Sequence, residues 1–250
     1  MADTKRFFIE ISYKGTNYHG WQVQPNAITV QELLDKALSI FFRQKVETLG
    51  CGRTDTGVHA TQFFAHFDLT DFGSVLKDST LQSINSLLPF DISAKSLTET
   101  SATAHARFDA SLRSYEYHIH FEKSPFLHEL SWLLRDKLIV SAMNQAASEL
   151  LNYTDFSCFS KSNTQVFTNN CKISRAEWVE TAQGLIFHIS ADRFLRNMVR
   201  AIVGTMVEIG KGKLAPDAIH QIIESKNRSN AGASVPSCGL YLTNVKYPYI

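Results

Sequence analysis

Chemically, the most unusual segment of the chain is Gly52-Arg53-Thr54-Asp55-Thr56-Gly57-Val58-His59-Ala60. It packs two glycines, a carboxylate and a guanidinium into nine residues. Glycine permits backbone angles closed to other residues and lets a ligand approach the main chain closely. Asp55, between the two glycines, would be held on backbone geometry instead of on a mobile arm. The plainer alternative is a tight turn whose aspartate only caps the backbone. Asp55-Thr56-Gly57 also matches the short signature of aspartic proteases, whose chemistry needs two carboxylates sharing a proton. The chain has no second copy, and Arg53 two residues away would keep the carboxylate ionised.

Other chemistries are weaker. Asp55, His59, His66 and Asp68 could be drawn as a metal site, but strand alternation sets His66 and Asp68 opposite Phe63 and Phe67, on a solvated or cleft-facing edge. No metal is expected. Asp71-Phe72-Gly73 echoes a kinase motif without the glycine loop, strand lysine or catalytic loop. There is no phosphate loop, dinucleotide fingerprint or G-x-S-x-G elbow. A second segment of interest is Phe194-Leu195-Arg196-Asn197-Met198-Val199-Arg200. On a helix, Arg193, Arg196 and Arg200 would form one basic stripe beside an apolar face of Phe194, Met198, Ala201, Ile202 and Thr205. An arginine at that border is either a solvated rim residue or the partner of a buried carboxylate. Gly204 within the helix suggests close approach of another element.

The elements that must position these residues are legible as patterns. Alternation predicts strands over Phe7–Tyr13, Val46–Cys51, Gln62–Leu69, Asp91–Thr98 and Tyr115–Phe121. A hairpin of Ile173–Thr181 and Leu185–Ser190 should turn at Gln183-Gly184. A last strand is expected over Leu240–Tyr247. Thr29 and Glu32 form a capping-box pair before a helix carrying Val30, Leu33, Leu34, Ala37, Leu38, Phe41 and Phe42. Further helices are expected over Leu81–Leu88, Ile139–Leu151 and Arg193–Ile209, the last ending at Gly210, and one more from Pro216. Strand, helix, strand, strand, helix, strand thus occurs about twice. The expected fold class is α+β: two ferredoxin-like, RRM-like halves, residues 1–103 and 104–250, joined into a mostly antiparallel sheet with a central active-site cleft.

Composition narrows the class of function. With 250 residues, 44% hydrophobic and 20% charged, neither a disordered nor a collagen-like chain is expected. The most span-like stretch, Ala201–Val207, is too short for a membrane. The start runs straight into a strand without an apolar signal core, so the cytoplasm is expected. Cys51, Cys158, Cys171 and Cys238 include no C-x-x-C pair and read as reduced thiols. The net charge is +1, but it divides into −4 over the first 192 residues and +5 from Arg193 onward. A basic C-terminal part suits contact with an anionic polymer along one surface; Arg193, Arg196, Lys211 and Lys213 are its candidate contacts.

Taken together, the motifs resemble the tRNA pseudouridine synthase A (TruA) family. G-R-T-D-x-G-V-H-A is its hallmark. Tyr13-Lys14-Gly15 with Gly20-Trp21-Gln22 is similar to its opening strand and loop. Phe108 to Tyr117, with Arg113, Tyr115 and Tyr117, is similar to its central R-x-Y-x-Y strand. Arg196-Asn197-Met198-Val199-Arg200 and Gly239-Leu240-Tyr241-Leu242 match its closing motifs. Thr56, often Ala in the family, is the one departure. The resemblance spans Phe7 to Tyr247.

That resemblance implies an isomerase that converts uridine to pseudouridine in the tRNA anticodon stem-loop, at positions 38, 39 and 40, as a homodimer without cofactor or metal. Asp55 would be the catalytic carboxylate, attacking C1′ or removing the C2′ proton; both routes need the ionised form, whose ordinary pKa is about 3.9. Arg200 would pair with it, Arg53 would enter the stem as the target flips out, and Tyr115 would stack on the flipped base. Tyr117, two residues on, would be the core member of the tyrosine pair. Tyr115 is also a candidate acceptor of the C5 proton, though a poor base at a free pKa of about 10 without help. An idle tRNA-binding relative would have lost Asp55 or Arg200, and a glycosidase would need a second carboxylate as acid.

Overall fold

The computed structural model describes residues 4–70, 79–161 and 167–250, so Asp71-Phe72-Gly73 lies outside the described residues. The fold is mixed α+β, with mostly antiparallel strands and five α-helices among the described residues. The chain forms two compact units, one of residues 1–111 with 242–250 and one of residues 112–241.

In the first unit, β1 (Lys5–Tyr13) is central, antiparallel to β3 (His59–Leu69) on one side and to β4 (Ile92–Thr100) on the other. β9 (Leu240–Lys246) enters this unit at Leu242 and lies beside β3. α1 (Val30–Phe42) begins as its capping pair requires: Thr29 is extended and its Oγ1 accepts the Glu32 amide at 3.4 Å, a cap that contributes about 1 kcal/mol. Phe42 of α1 meets Phe67 of β3 with ring centroids 5.8 Å apart, and α2 (Thr80–Leu87) adds Ile84 to the same core.

β2 is shorter than the alternation suggests, Leu49–Gly50 only. The amides before it are used elsewhere: Val46 N–H donates to Ser39 Oγ (2.9 Å) and Thr48 N–H to Asp35 Oδ1 (2.9 Å), both on α1. β3, by contrast, is buried on both faces. Phe67 meets α1 and Phe63 packs on Trp21, while Phe64 packs edge-on to Tyr247 and His66 stacks on Phe8. His66 is therefore 6% exposed, not on a solvated edge. Its Nδ1 accepts the Ala106 amide at 3.1 Å, and Asp68 is bound to Arg6 at 2.7 Å. Burial drives the His66 pKa down to about 4.

In the second unit, β5 (Leu112–His120), β8 (Gly184–Ala191) and β7 (Ile173–Thr181) form an antiparallel array in that order, with β6 (Trp132–Leu133) parallel to β5. The hairpin turns one residue earlier than expected, at Ala182-Gln183, where Thr181 Oγ1 accepts the Gln183 and Gly184 amides. α3 (Val140–Glu149) is tied to β7 by Asn144, which exchanges two hydrogen bonds with the Trp178 main chain (2.7 and 3.0 Å). α4 (Met198–Gly210) is buried along nearly its whole length, and α5 (Ala218–Glu224) starts two residues after Pro216.

α4 corrects the sequence reading at both ends. Arg193 to Asn197 are not helical. Asp192 Oδ1 accepts the Arg193 and Lys172 amides (2.7 Å each), Arg196 O accepts the Lys161 amide (3.2 Å), and Asn197 is left-handed at φ 66°. The three-arginine helical stripe therefore does not exist; only Arg200 is on the helix. At the other end Gly210 is still helical, and the left-handed residue is Gly212.

Candidate active site

Asp55 lies on the turn that joins β2 to β3, and the segment from Tyr13 to Trp21 fixes that turn from behind. Cys51 N–H donates to Phe64 O (2.7 Å), Trp21 N–H to Thr54 O (3.2 Å) and Gly57 N–H to Tyr18 O (3.2 Å). Val58 N–H closes the turn on Asp55 O at 3.1 Å. Thr54 Oγ1 and the Tyr13 hydroxyl form a buried pair at 2.9 Å, and the Gly15 amide donates to His59 Nδ1 at 3.0 Å. Gly20, at φ 89°, lets the two segments touch: a Cβ there would overlap Thr54 O and lie 3.2 Å from the Asp55 carbonyl carbon. Asp55 is half-buried and Arg53 exposed. His59 is consumed as an acceptor inside this scaffold, as His66 is in the core.

The two flanking glycines do different things. Gly57 is left-handed at φ 76°, as a turn of this kind demands. Gly52 is not, and a Cβ on it would meet nothing within 4 Å, so it leaves open space beside Arg53. Behind the turn, the Tyr18 hydroxyl donates to Asp91, whose other carboxylate oxygen accepts Asn17 Nδ2 (3.3 Å) and whose carbonyl accepts the Lys14 amide (2.9 Å). Sequence reasoning missed Tyr18 and Asp91. The available signal was a tyrosine in a polar loop, and the structure buries it to 4% exposure.

In the second unit, the two tyrosines of β5 divide as their neighbours dictate. Tyr117 is fully buried; its hydroxyl donates to Pro236 O at 2.8 Å, and burial pushes its phenol far above the ordinary value. It is a core residue. Tyr115 is half-buried and meets Phe194 edge-on, centroids 5.1 Å apart. Arg200, in the first turn of α4, donates from Nε to Val235 O at 2.7 Å. The loop that supplies this acceptor is strung along α4. Gly232 N–H donates to Thr205 Oγ1 (2.9 Å), and Ser234 Oγ is held by Asn197 Nδ2 (2.5 Å) and Arg228 Nη2 (3.0 Å). Gly204 admits the loop: a Cβ there would overlap Ala233 O. The close approach that Gly204 suggested is this loop, whose residues 228–236 carry no motif that would have marked them.

Of the remaining basic candidates, the two lysines are ion-paired. Arg196 is exposed and Arg193 half-buried on the loop before α4. Lys211 pairs with Asp136 at 3.0 Å with its side chain 19% exposed, and Lys213 with Glu208 at 2.9 Å. Among the described residues no three His, Cys, Asp or Glu side chains are grouped to hold a metal ion, and no helix is long and apolar enough to cross a membrane.

A carboxylate clamped through its own main chain, on a turn with a left-handed glycine, is the geometry of a site that works by position. Comparison with known proteins supplies the family. The tRNA pseudouridine synthase family matches residues 146–248. Over 246 residues the chain is 50% identical to the tRNA pseudouridine synthase A of Bacteroides fragilis, covering 98% of this chain and 97% of that one. It is 49% identical to the protein of that name from Bacteroides thetaiotaomicron (98% and 91% covered) and 46% identical to that from Parabacteroides distasonis (98% and 96%). The chain belongs to the tRNA pseudouridine synthase A family.

Proposed function

We propose that this chain isomerises uridine to pseudouridine in the anticodon stem-loop of tRNA, with Asp55 as the catalytic carboxylate. The reaction breaks the bond from C1′ to N1, turns the base and joins C1′ to C5; C5 gives up a proton and N1 takes one up, so the product is an isomer and no second substrate is consumed. What it demands is one carboxylate at the ribose, a surface that holds the extruded base, and a grip on the RNA. Asp55 acts either by attacking C1′ or by removing the C2′ proton. The observation that carries this reading is the clamped turn: Thr54 O, Gly57 N–H and Asp55 O are all hydrogen-bonded, so the carboxylate is aimed by rigid backbone within a family that performs this chemistry.

The other assignments follow the motif matches. By its motif match Arg200 is the electrostatic partner of Asp55, with its Nε held on Val235 O. Tyr115 stacks on the flipped base, and Arg53, exposed beside the open space at Gly52, enters the stem to offset the few kcal/mol lost on extrusion. Arg193, Arg196, Lys211 and Lys213 meet phosphates. The proposed organisation is two ferredoxin-like halves, residues 1–103 carrying Asp55 and residues 104–250 carrying Tyr115 and Arg200. The working protein is a cytoplasmic homodimer that needs neither metal nor cofactor. The test is mass analysis of an unmodified tRNA transcript after incubation with purified protein, using a tag specific for pseudouridine. Tagged anticodon-arm fragments are expected; an untagged transcript refutes the reading.

A further inference from the structure

The turn from His105 to Asp109 belongs to none of the groups assigned above. Phe108 is 74% exposed there, and other phenylalanines of the described residues are exposed too, so exposure alone marks nothing. Yet the ring is held firmly. It stacks on His105 with centroids 4.3 Å apart and planes 30° from parallel, and the guanidinium carbon of Arg107 lies 5.6 Å from its centroid. His105 is itself fixed: its Nδ1 accepts the Arg107 and Phe108 amides (3.1 and 3.2 Å), which places its ring proton on Nε2. Behind it lies His66, 4.8 Å away. Asp109 locks the turn by accepting the His105 amide (2.7 Å) and the Tyr249 hydroxyl (2.8 Å), while its own amide donates to His105 O (3.0 Å).

From this geometry we infer that Phe108, backed by His105 and flanked by Arg107, is a stacking platform for an unpaired nucleobase of the tRNA, separate from the position of the flipped uridine. A flat aromatic face, pre-ordered and beside a cation, is what single-stranded nucleic acid uses: every base offers a π-face, and the adjoining phosphate meets the positive charge. The platform carries no sequence code, so it holds any base of a splayed loop. The inference rests on the isomerase reading and adds an affinity site to it.

The test compares wild type, Phe108→Ala and Phe108→Trp, each full length, for binding to an unmodified tRNA transcript, with pseudouridine formation by the wild type measured on the same transcript. Phe108→Ala should bind about 5- to 150-fold more weakly, the equivalent of about 1–3 kcal/mol for one stacked base. Phe108→Trp should bind as well as wild type, and its added fluorescence should be quenched by tRNA beyond any change in the wild type. Equal melting temperatures would show that the weaker binding is not misfolding. Wild-type affinity of Phe108→Ala, or an unquenched Phe108→Trp, overturns the platform. A smaller assembly of Phe108→Ala with unchanged tRNA affinity also overturns it, because the ring would then serve a protein contact. Absence of pseudouridine with the wild type would instead strike at the isomerase reading.

Discussion

Gly204→Ala separates the proposed role of Arg200 from mere stability. The added Cβ would overlap the carbonyl oxygen of Ala233 and lie 3.0 Å from its carbon, where ordinary carbon contacts are about 3.5–4.0 Å. With the oxygen deep inside the contact distance of the new Cβ, the loop must retreat by roughly 1.5 Å or the helix must bend. Overpacking of this kind costs about 1–3 kcal/mol, and alanine returns about 1 kcal/mol of helix propensity. Because the overlap is with backbone, the cost falls at the upper end and the net loss is about 2 kcal/mol, a fall in melting temperature of about 4–8 °C for a chain of this size. Activity should suffer more. Val235 O holds Arg200 Nε at 2.7 Å, so a displaced loop displaces the guanidinium, and a misplacement of about 1 Å costs on the order of 100-fold in rate. Thermal melting and single-turnover pseudouridine formation on one preparation give both quantities. An unchanged or higher melting temperature with full activity would refute the packing argument and the positioning of Arg200 together.

Stability should depend on pH through His66. Its folded pKa, near 4, lies below the unfolded value of about 6.5, so its contribution is complete above about pH 6.5 and is lost as pH falls toward 4. That contribution is about 3 kcal/mol, and His66→Asn should flatten the fall in melting temperature across that window. tRNA affinity should fall steeply with salt. Removing Arg196 or Lys213 should flatten the plot of log affinity against log salt by about one unit. Lys211→Ala should do the same and also lower the melting temperature slightly, because its largely covered side chain is paired with Asp136; unchanged slopes would place the RNA elsewhere. Exhaustive chelation should leave activity intact once magnesium for tRNA folding is controlled, and rescue by zinc alone would count against carboxylate chemistry.

Where local chemistry decides structure, the sequence was readable. Thr29 and Glu32 start α1 at Val30 because a side-chain cap satisfies an end amide whatever lies beyond it. Apart from β2, the strands form where the sequence places them, and the turn around Asp55 announced itself through its glycines. What distant residues decide was hidden. Phe194, Leu195 and Met198 keep an apolar spacing that continues the helical pattern backward, and nothing local shows that Asp192 and Asn197 break it. His66 sits on the face of β3 that alternation marks as outward, but Phe8, Tyr247 and the turn at His105 cover that face. The clamp on Asp55 comes from Tyr18 and Gly20, and the anchor of Arg200 from Val235, 35 residues along the chain. Such supports are matters of packing, to which no short motif corresponds.

The central claim is that Asp55 is the catalytic carboxylate on a scaffold that binds tRNA by other means. The direct measurement takes Asp55→Ala and Asp55→Asn beside wild type, with tRNA affinity and pseudouridine formation determined on the same transcript. Phosphate and shape contacts supply affinity, so binding within a few-fold of wild type is expected, with no product from either variant over many wild-type turnovers. Wild-type-like turnover by Asp55→Ala would contradict the assignment outright.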